Sequence, residues 1–491
     1  MKEKIRKVEQ FIIKHDELFF IIIFLIMISG FALNMETVVY DEMWNFQNIY
    51  KMYNGYQIYV DANVITTPLF HYIGLIFFKI LGANFFVFKI YNILLCFGLF
   101  FIIYKILKKI GLNKKISLFL VLIIFVVERN IILSTANYNT LAILFVLSSI
   151  YLILNKENIK YYSFFEAIFI VLIILTKQNI GVFYIIGYIL YSLIYNKNKK
   201  ENIKLIFYTL LFLSIYILFM YKEGIMDGFI SYCLLGIREF AENNNYSSVK
   251  DVIIMLTVVF INIYLIIYVN FLSKSRVSKE QKKYLNIFFC FGFPILMISY
   301  PIFNGFHIKI ALFIQFLIFF YCIYILILEK KIKDINIITV ISIFIIIMYS
   351  IFSIKDIYSY FLNISFNNYD YENVYFGTMF NEDTKSKLDK ITNYINNEDK
   401  KVVVLSSEAA LYMIPLKSSN GAMDLPLIGN FGKDGEKGII DKLEHFEYNK
   451  KILLKKEKYC WQESDYIINY VKDNFTNVGE IEDFLVYEKS K

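Results

Sequence analysis

Apolar residues in this chain come in long unbroken runs, not in the short alternations of half-buried strands or amphipathic helices. A helix needs about 20 apolar residues to cross roughly 30 Å of hydrocarbon. Runs of that order occupy 18–34, 85–107, 116–128, 140–154, 161–176, 180–195, 205–221, 251–272, 285–300, 310–328 and 335–354. They predict about eleven membrane-spanning helices, and only Thr176, Lys177, Gln178 and Asn179 divide the fifth from the sixth. From Lys355 to Lys491 polar residues dominate. There Lys401–Ser406 reads as a short buried strand, 433–446 and 463–475 as helices and 481–488 as a strand, predicting a small α/β domain. The fold class expected is a polytopic α-helical membrane protein, 1–354 with an outer-face loop 35–84, followed by a soluble α/β domain over 355–491.

Charge orients the bundle. Lys108, Lys109, Lys114 and Lys115 follow the second run, and Lys197, Lys199, Lys200 and Lys204 follow the sixth. Lys274, Arg276, Lys279, Lys282 and Lys283 follow the eighth, and Lys330, Lys331 and Lys333 the tenth. By the positive-inside rule these clusters lie in the cytoplasm with the basic N-terminus, leaving 35–84, 129–139, 222–250 and 301–309 outside. An odd number of spans then places the C-terminal domain outside the cell membrane. Thr67–Leu81 is read as a helix lying on the outer membrane face, with Pro68 in its first turn, because a crossing there would put the Lys108–Lys115 cluster outside. A short true span is the alternative. The basic residues before Leu18 imitate a secretory signal, but further runs follow, so a retained first helix is expected.

With 57% hydrophobic and 19% aromatic residues and a mean hydropathy of +0.52, the 491-residue chain is neither an array of soluble domains nor disordered. No long stretch is both basic and water-soluble, which argues against nucleic acid as a partner despite the net charge of +8. The five cysteines show no CxxC spacing, and the four histidines are scattered, so a structural zinc site is not expected. Cys460, alone in the exposed domain, is expected to be mostly buried beside Trp461.

Polar residues gathered at one membrane face are functional candidates. The densest group begins at Val39, with Asp41 and Glu42 just after the first helix and Trp44, Tyr50, Tyr53, Tyr56 and Tyr59 following. Such aromatics pack on sugars or sit at headgroup level. The bland alternative is that the two acids cap a juxtamembrane helix.

These residues resemble the GT-C superfamily of membrane glycosyltransferases, closest to the protein mannosyltransferase and aminoarabinose transferase group. The resemblance rests on the acidic pair, on TTPLFHYIGLIFFKILG as a proline-introduced outer-face helix, on the basic cytoplasmic loops and on the C-terminal outer domain. It implies transfer of a sugar from a polyprenyl-phosphate donor to an extracytoplasmic acceptor, whether envelope glycan, lipid or protein. By position it implies Asp41 as the catalytic base or acceptor-orienting carboxylate, with Glu42 as its neighbour. It implies a second acidic site at Glu128, with Arg129, Tyr138 and Asn139 nearby, and a carrier-facing Lys177 in TKQNIG, where the group has a T-K-P-x-G turn. Glu128 and Arg129 also read as a helix end snorkelling to the interface, and Lys177 as an interfacial anchor. The chain has Thr66-Thr67-Pro68 where the group carries a basic residue before the proline, which leaves the phosphate's cation to Arg129, Lys177, Arg238, His71, or His307 with Lys309. Arginine suits a bidentate grip on phosphate best.

Sugar transfer requires a hydroxyl to lose its proton as it attacks the anomeric carbon. A carboxylate supplies that, and the departing phosphate needs positive charge, which favours direct inversion. No cofactor is certain; a divalent cation held by the paired carboxylates is the one candidate. The rival reading is a multi-span transporter or lipid flippase, but no internal repeat is visible and the polar residues gather at one face, away from the midplane.

Overall fold

In a computed structural model the described residues are 16–34, 41–132, 136–196, 198–243, 246–272, 277–328, 335–366, 374–418, 420–421, 423, 425–445, 450–459 and 462–489. The protein is a helical membrane protein. Among the described residues six helices are long and apolar enough to cross a membrane, by length and composition, the first being Asp16–Leu33 and the last spanning Ile341–Leu362. Leu69–Leu81, Tyr138–Leu154, Tyr162–Thr176 and Gln178–Ile194 are shorter apolar helices.

We number the helices α1 (Asp16–Leu33), α2 (Asp41–Tyr53), α3 (Leu69–Leu81), α4 (Phe85–Lys109), α5 (Lys114–Ile132), α6 (Tyr138–Leu154), α7 (Tyr162–Thr176), α8 (Gln178–Ile194) and α9 (Lys199–Lys222). After two short helical pieces, α10 (Met226–Phe229) and α11 (Gly236–Asn243), come α12 (Val249–Ile267), α13 (Lys279–Ile295), α14 (Gly305–Ile323) and α15 (Ile335–Phe366). Each apolar run of the sequence coincides with one of these helices. The largest departure is α15, which continues to Phe366 where the apolar run ends at 354. Local chemistry sets the starts. Asn137 accepts from the backbone N–H of Thr140, Asn304 caps α14 through His307, and Ser278 with Gln281 forms a complete capping box on α13.

Residue contacts divide the chain into two compact units. The first is Met1–Asn34, Asn92–Leu213 and Tyr246–Ser365; the second is Met35–Tyr91, Ser214–Asn245 and Phe366–Lys491.

In the first unit the helices pack through small residues where they approach closely. A Cβ on Gly30 of α1 would stand 2.3 Å from the Cα of Ser353 on α15, so only glycine permits that crossing. At the basic end Asp16 meets Lys108 and Lys114, and Glu17 meets Lys105, which neutralises charge where α1 begins.

The second unit joins three separate stretches of sequence. Its sheet has the order β3 (Lys401–Leu405), β4 (Lys450–Lys455), β6 (Phe484–Lys489), β5 (Phe475–Ile481); β1 (Tyr246–Ser247) and β2 (Ile302–Phe303) form a minimal parallel pair in the first unit. β3 and β4 are parallel, whereas β6 runs antiparallel to both its neighbours. Val402–Leu405 is buried throughout, as in a strand covered on both faces. Helices α18 (Gly435–Glu444) and α19 (Asp465–Asn474) contribute Ile439, Leu443, Ile467 and Val471 to a core with Val403, Ile452 and Leu454. The sequence pattern misses α16 (Glu382–Asn397), α17 (Ala409–Met413), β4 and β5, whose apolar content is too short or too interrupted to register. Cys460 and Trp461 lie outside the described residues; Cys96, Cys233, Cys290 and Cys322 are buried.

Candidate functional site

Each unit carries its own group of buried polar side chains.

In the second unit Asp41–Tyr53 is a helix, α2, and not an exposed aromatic surface. Trp44, Tyr50 and Tyr59 are buried, and of the five aromatics only Tyr53 is well exposed. The reason is packing: α2 lies along α3 with Ile49 filling the space over Gly74, and Phe46 meets Phe78, Phe85 and Phe88 edge-on. The side chain of Asp41 lies outside the described residues; its backbone opens α2, where a carboxylate suits the helix N-terminus. Glu42 is buried and is the negative charge that attracts Lys89, a residue that nothing in the sequence pattern singles out.

The face of α2 toward α3 holds the least satisfied polar groups of this unit. Trp44 and Asn48 stand one turn apart. His71 of α3 is fully buried with both ring nitrogens unpartnered, and the Trp44 indole N–H and both amide atoms of Asn48 are buried and unpartnered as well. Trp44 meets His71 edge to face at 6.5 Å between ring centroids. Buried polar atoms cost about 1–3 kcal/mol each when unsatisfied, and such a group is where a ligand or water completes the bonding. The Oγ1 of Thr66, just before Pro68, is in the same condition, while its carbonyl accepts from the hydroxyl of Tyr59 at 2.8 Å and from the Cys233 thiol. Tyr59 holds φ +68°, a left-handed conformation costly for a residue with a side chain, and the Thr66 bond and the Phe229 ring help to fix it. Arg238, by contrast, is 84% exposed and paired with Glu242 one turn on, so its charge is already met at the surface.

In the first unit the polar group sits at the end of α5 remote from Lys114. Fourteen residues separate Lys114 from Glu128, roughly 20 Å of helix axis. Glu128 is buried with neither carboxylate oxygen hydrogen-bonded, and Lys309 of α14 is the positive charge acting on it. The next residue, Arg129, lays its guanidinium over the rings of Phe31 and Tyr349 at 5.1 and 4.8 Å, leaving its Nε without a bond. Lys177, in the break between α7 and α8, donates to the Asn139 side chain at 2.6 Å and lies over Tyr138. His307 donates through Nδ1 to the side-chain oxygen of Asn304 at 2.9 Å and feels the charge of Lys177. The structure therefore gathers Glu128, Tyr138, Asn139, Lys177, His307 and Lys309 through direct contacts or charge pairing. Helix direction could have predicted their shared end; their pairing could not.

Chemically, this end offers one carboxylate and several cations, a set suited to an anionic group. Among the described residues no three His, Cys, Asp or Glu side chains group as metal ligands, and Glu42 has a lysine beside it where a metal site would gather further oxygen donors.

No family model matches the chain, and no curated protein matches it. Its fold is nevertheless shared with solved structures. ArnT from Cupriavidus metallidurans bound to undecaprenyl phosphate superposes with a TM-score of 0.57 at 10% identity, covering 96% of this chain and 97% of that one. The apo form of the same protein gives a TM-score of 0.57 at 11% identity over the same shares. The likeness extends over nearly the whole chain, and at this identity it fixes the fold alone.

Proposed function

We propose that the protein is an integral membrane glycosyltransferase that moves a sugar from a polyprenyl-phosphate donor to an acceptor outside the cell membrane. The observation that carries the reading is Glu128: a buried carboxylate without a hydrogen bond, beside Lys309, in a fold shared with an ArnT structure bound to undecaprenyl phosphate. Intramembrane carboxylates are costly and mark substrate paths.

In the proposed reaction an acceptor hydroxyl attacks the anomeric carbon and passes its proton to Asp41. The bond from that carbon to the phosphate oxygen breaks, and polyprenyl phosphate leaves with inversion at carbon. Glu42, balanced by Lys89, positions the start of α2. Lys177 and Arg129 are the leading cations for the phosphate, with His307 and Lys309 behind them, and the exposed Glu242-paired Arg238 is the least suited. His71 and Asn48 supply polar contacts to sugar or acceptor. N-terminus in the cytoplasm and C-terminal domain outside complete the proposal, in line with the lysine clusters.

The test is sugar transfer in membranes from a polyprenyl-phosphate sugar by wild type and Asp41→Asn. Loss of a general base typically costs 10²–10⁴-fold in rate, on the order of 3–5 kcal/mol. Transfer at the wild-type rate by Asp41→Asn removes Asp41 from the mechanism, and absence of transfer by the wild-type chain from any polyprenyl-phosphate sugar removes the function.

A further inference from the structure

The second unit contains an open cleft of about 590 Å³ that the proposed reaction does not use. It lies between the last turns of α16, the turn into β3 and the segment 415–418. Its volume falls in the range of ligand sites, roughly 300–1,000 Å³.

The lining determines what would bind. Asn393, Asn396 and Ser418 offer amides and a hydroxyl, which both donate and accept, over an apolar wall of Pro415 and Leu416. Thr392 also lines the cleft; its residue is 2% exposed and its hydroxyl has no partner. The charges of the lining nearly cancel, Glu398 and Asp399 against Lys400, Lys401 and Lys417, and two of them are bonded to residues outside the cleft: Lys400 to Glu488 at 2.6 Å and Glu398 to Lys451 at 2.8 Å. With acids and lysines mixed along the lining, the cleft concentrates no charge of one sign for a phosphate or for a strongly acidic chain. Amides and hydroxyls beside an apolar wall match a ligand that is itself both hydroxyl-rich and apolar on one face, as sugar rings are.

One contact ties the cleft to the helix that carries Asp41. Lys417, at φ +49°, presents its carbonyl to the hydroxyl of Tyr56 at 3.2 Å, and Tyr56 follows directly on α2. We infer that this cleft of the C-terminal domain binds a neutral oligosaccharide, the glycan part of the acceptor. The inference rests on the transferase reading and assigns the acceptor's chemical class.

The experiment uses the full chain in lipid nanodiscs with two probes, maltotriose and triacetylchitotriose, observed by saturation-transfer NMR. Expected is transfer of saturation to at least one trisaccharide, reduced about fivefold or more by Asn396→Trp, which fills the cleft, and by Thr392→Val, which keeps the shape and deletes the hydroxyl. No saturation transfer to either probe, or wild-type transfer in both cleft variants, overturns the inference. If the wild-type chain transfers sugar yet binds neither probe, the cleft assignment falls and the transferase reading stands. Trisaccharide binding without any sugar transfer does the reverse: the cleft keeps its ligand class and the transferase reading falls.

Discussion

Trp44 and His71 meet edge to face inside the second unit, 6.5 Å between centroids, with the indole N–H and both imidazole nitrogens buried and unpartnered. Two helices that bring three unsatisfied nitrogens together lose stability by doing so, unless a substrate completes the bonding. The arrangement therefore separates function from stability in a measurable way.

His71→Phe removes two unsatisfied nitrogens while keeping a ring of similar size against Trp44 and Phe70. The thermal unfolding midpoint in detergent should stay level or rise, since replacing an unpaired buried polar group by an apolar one is neutral or stabilising. Sugar transfer should fall by about tenfold or more, the equivalent of one lost hydrogen bond to substrate. A variant that is destabilised and still fully active would show that His71 is a packing residue.

Glu128→Gln should behave the same way at the other polar group. The carboxylate has no hydrogen bond to lose, so folding is retained, whereas transfer drops by about 10²-fold if the charge helps to organise Lys309 and the donor. Initial rates against donor concentration provide the check. An unchanged rate assigns Glu128 to interfacial anchoring.

Glycine substitutions should divide by what the new Cβ meets. On Gly30 it would strike backbone, the Ser353 Cα at 2.3 Å, and force α1 and α15 apart. On Gly74 it would meet first the Cδ1 of Ile49, a terminal methyl able to rotate away. Gly30→Ala should cost about 1–3 kcal/mol and Gly74→Ala distinctly less, read from unfolding midpoints of the purified variants. Equal losses would place the close approach of α1 and α15 in doubt.

The C-terminal domain should lose stability in acid. The hydrogen bond from Lys451 holds the Glu398 carboxyl below its ordinary 4.5, and Lys400 does the same for Glu488. A depressed folded-state value means the stabilisation is fully present above the unfolded value near 4.5 and is lost as pH falls through the lower folded one. Lys451 bonds both carboxylates, so Lys451→Met should flatten the dependence of the unfolding midpoint on pH below about 4.5. An identical acid limb in wild type and variant would remove these pairs as its cause.

Much of the fold is legible in the sequence because an apolar run long enough to span hydrocarbon is a local, additive signal. Asp16–Leu33, Phe85–Lys109 and Gly305–Ile323 all lie where their runs predict. The same logic fails at α16 and β4, where short patterns gain their burial from distant partners. The candidate residues are legible as types at one end of each helix, and their partnerships are not. Lys177 and Asn139 are 38 positions apart, and Glu128 and Lys309 lie still farther apart in sequence.

The sequence alone determined that this chain lives in a membrane, which runs are apolar enough to cross it and which residues are too polar to be there without a reason. The tertiary structure decided that Trp44 turns inward and not onto a surface, that His71 and Asn48 are buried without bonds, and that 35–91 and 214–245 fold as one unit with the C-terminal domain. Hydrophobic transfer depends on a residue's own side chain and its near neighbours in sequence. Whether a buried polar atom is satisfied depends on which remote element arrives beside it, and only the folded chain decides that.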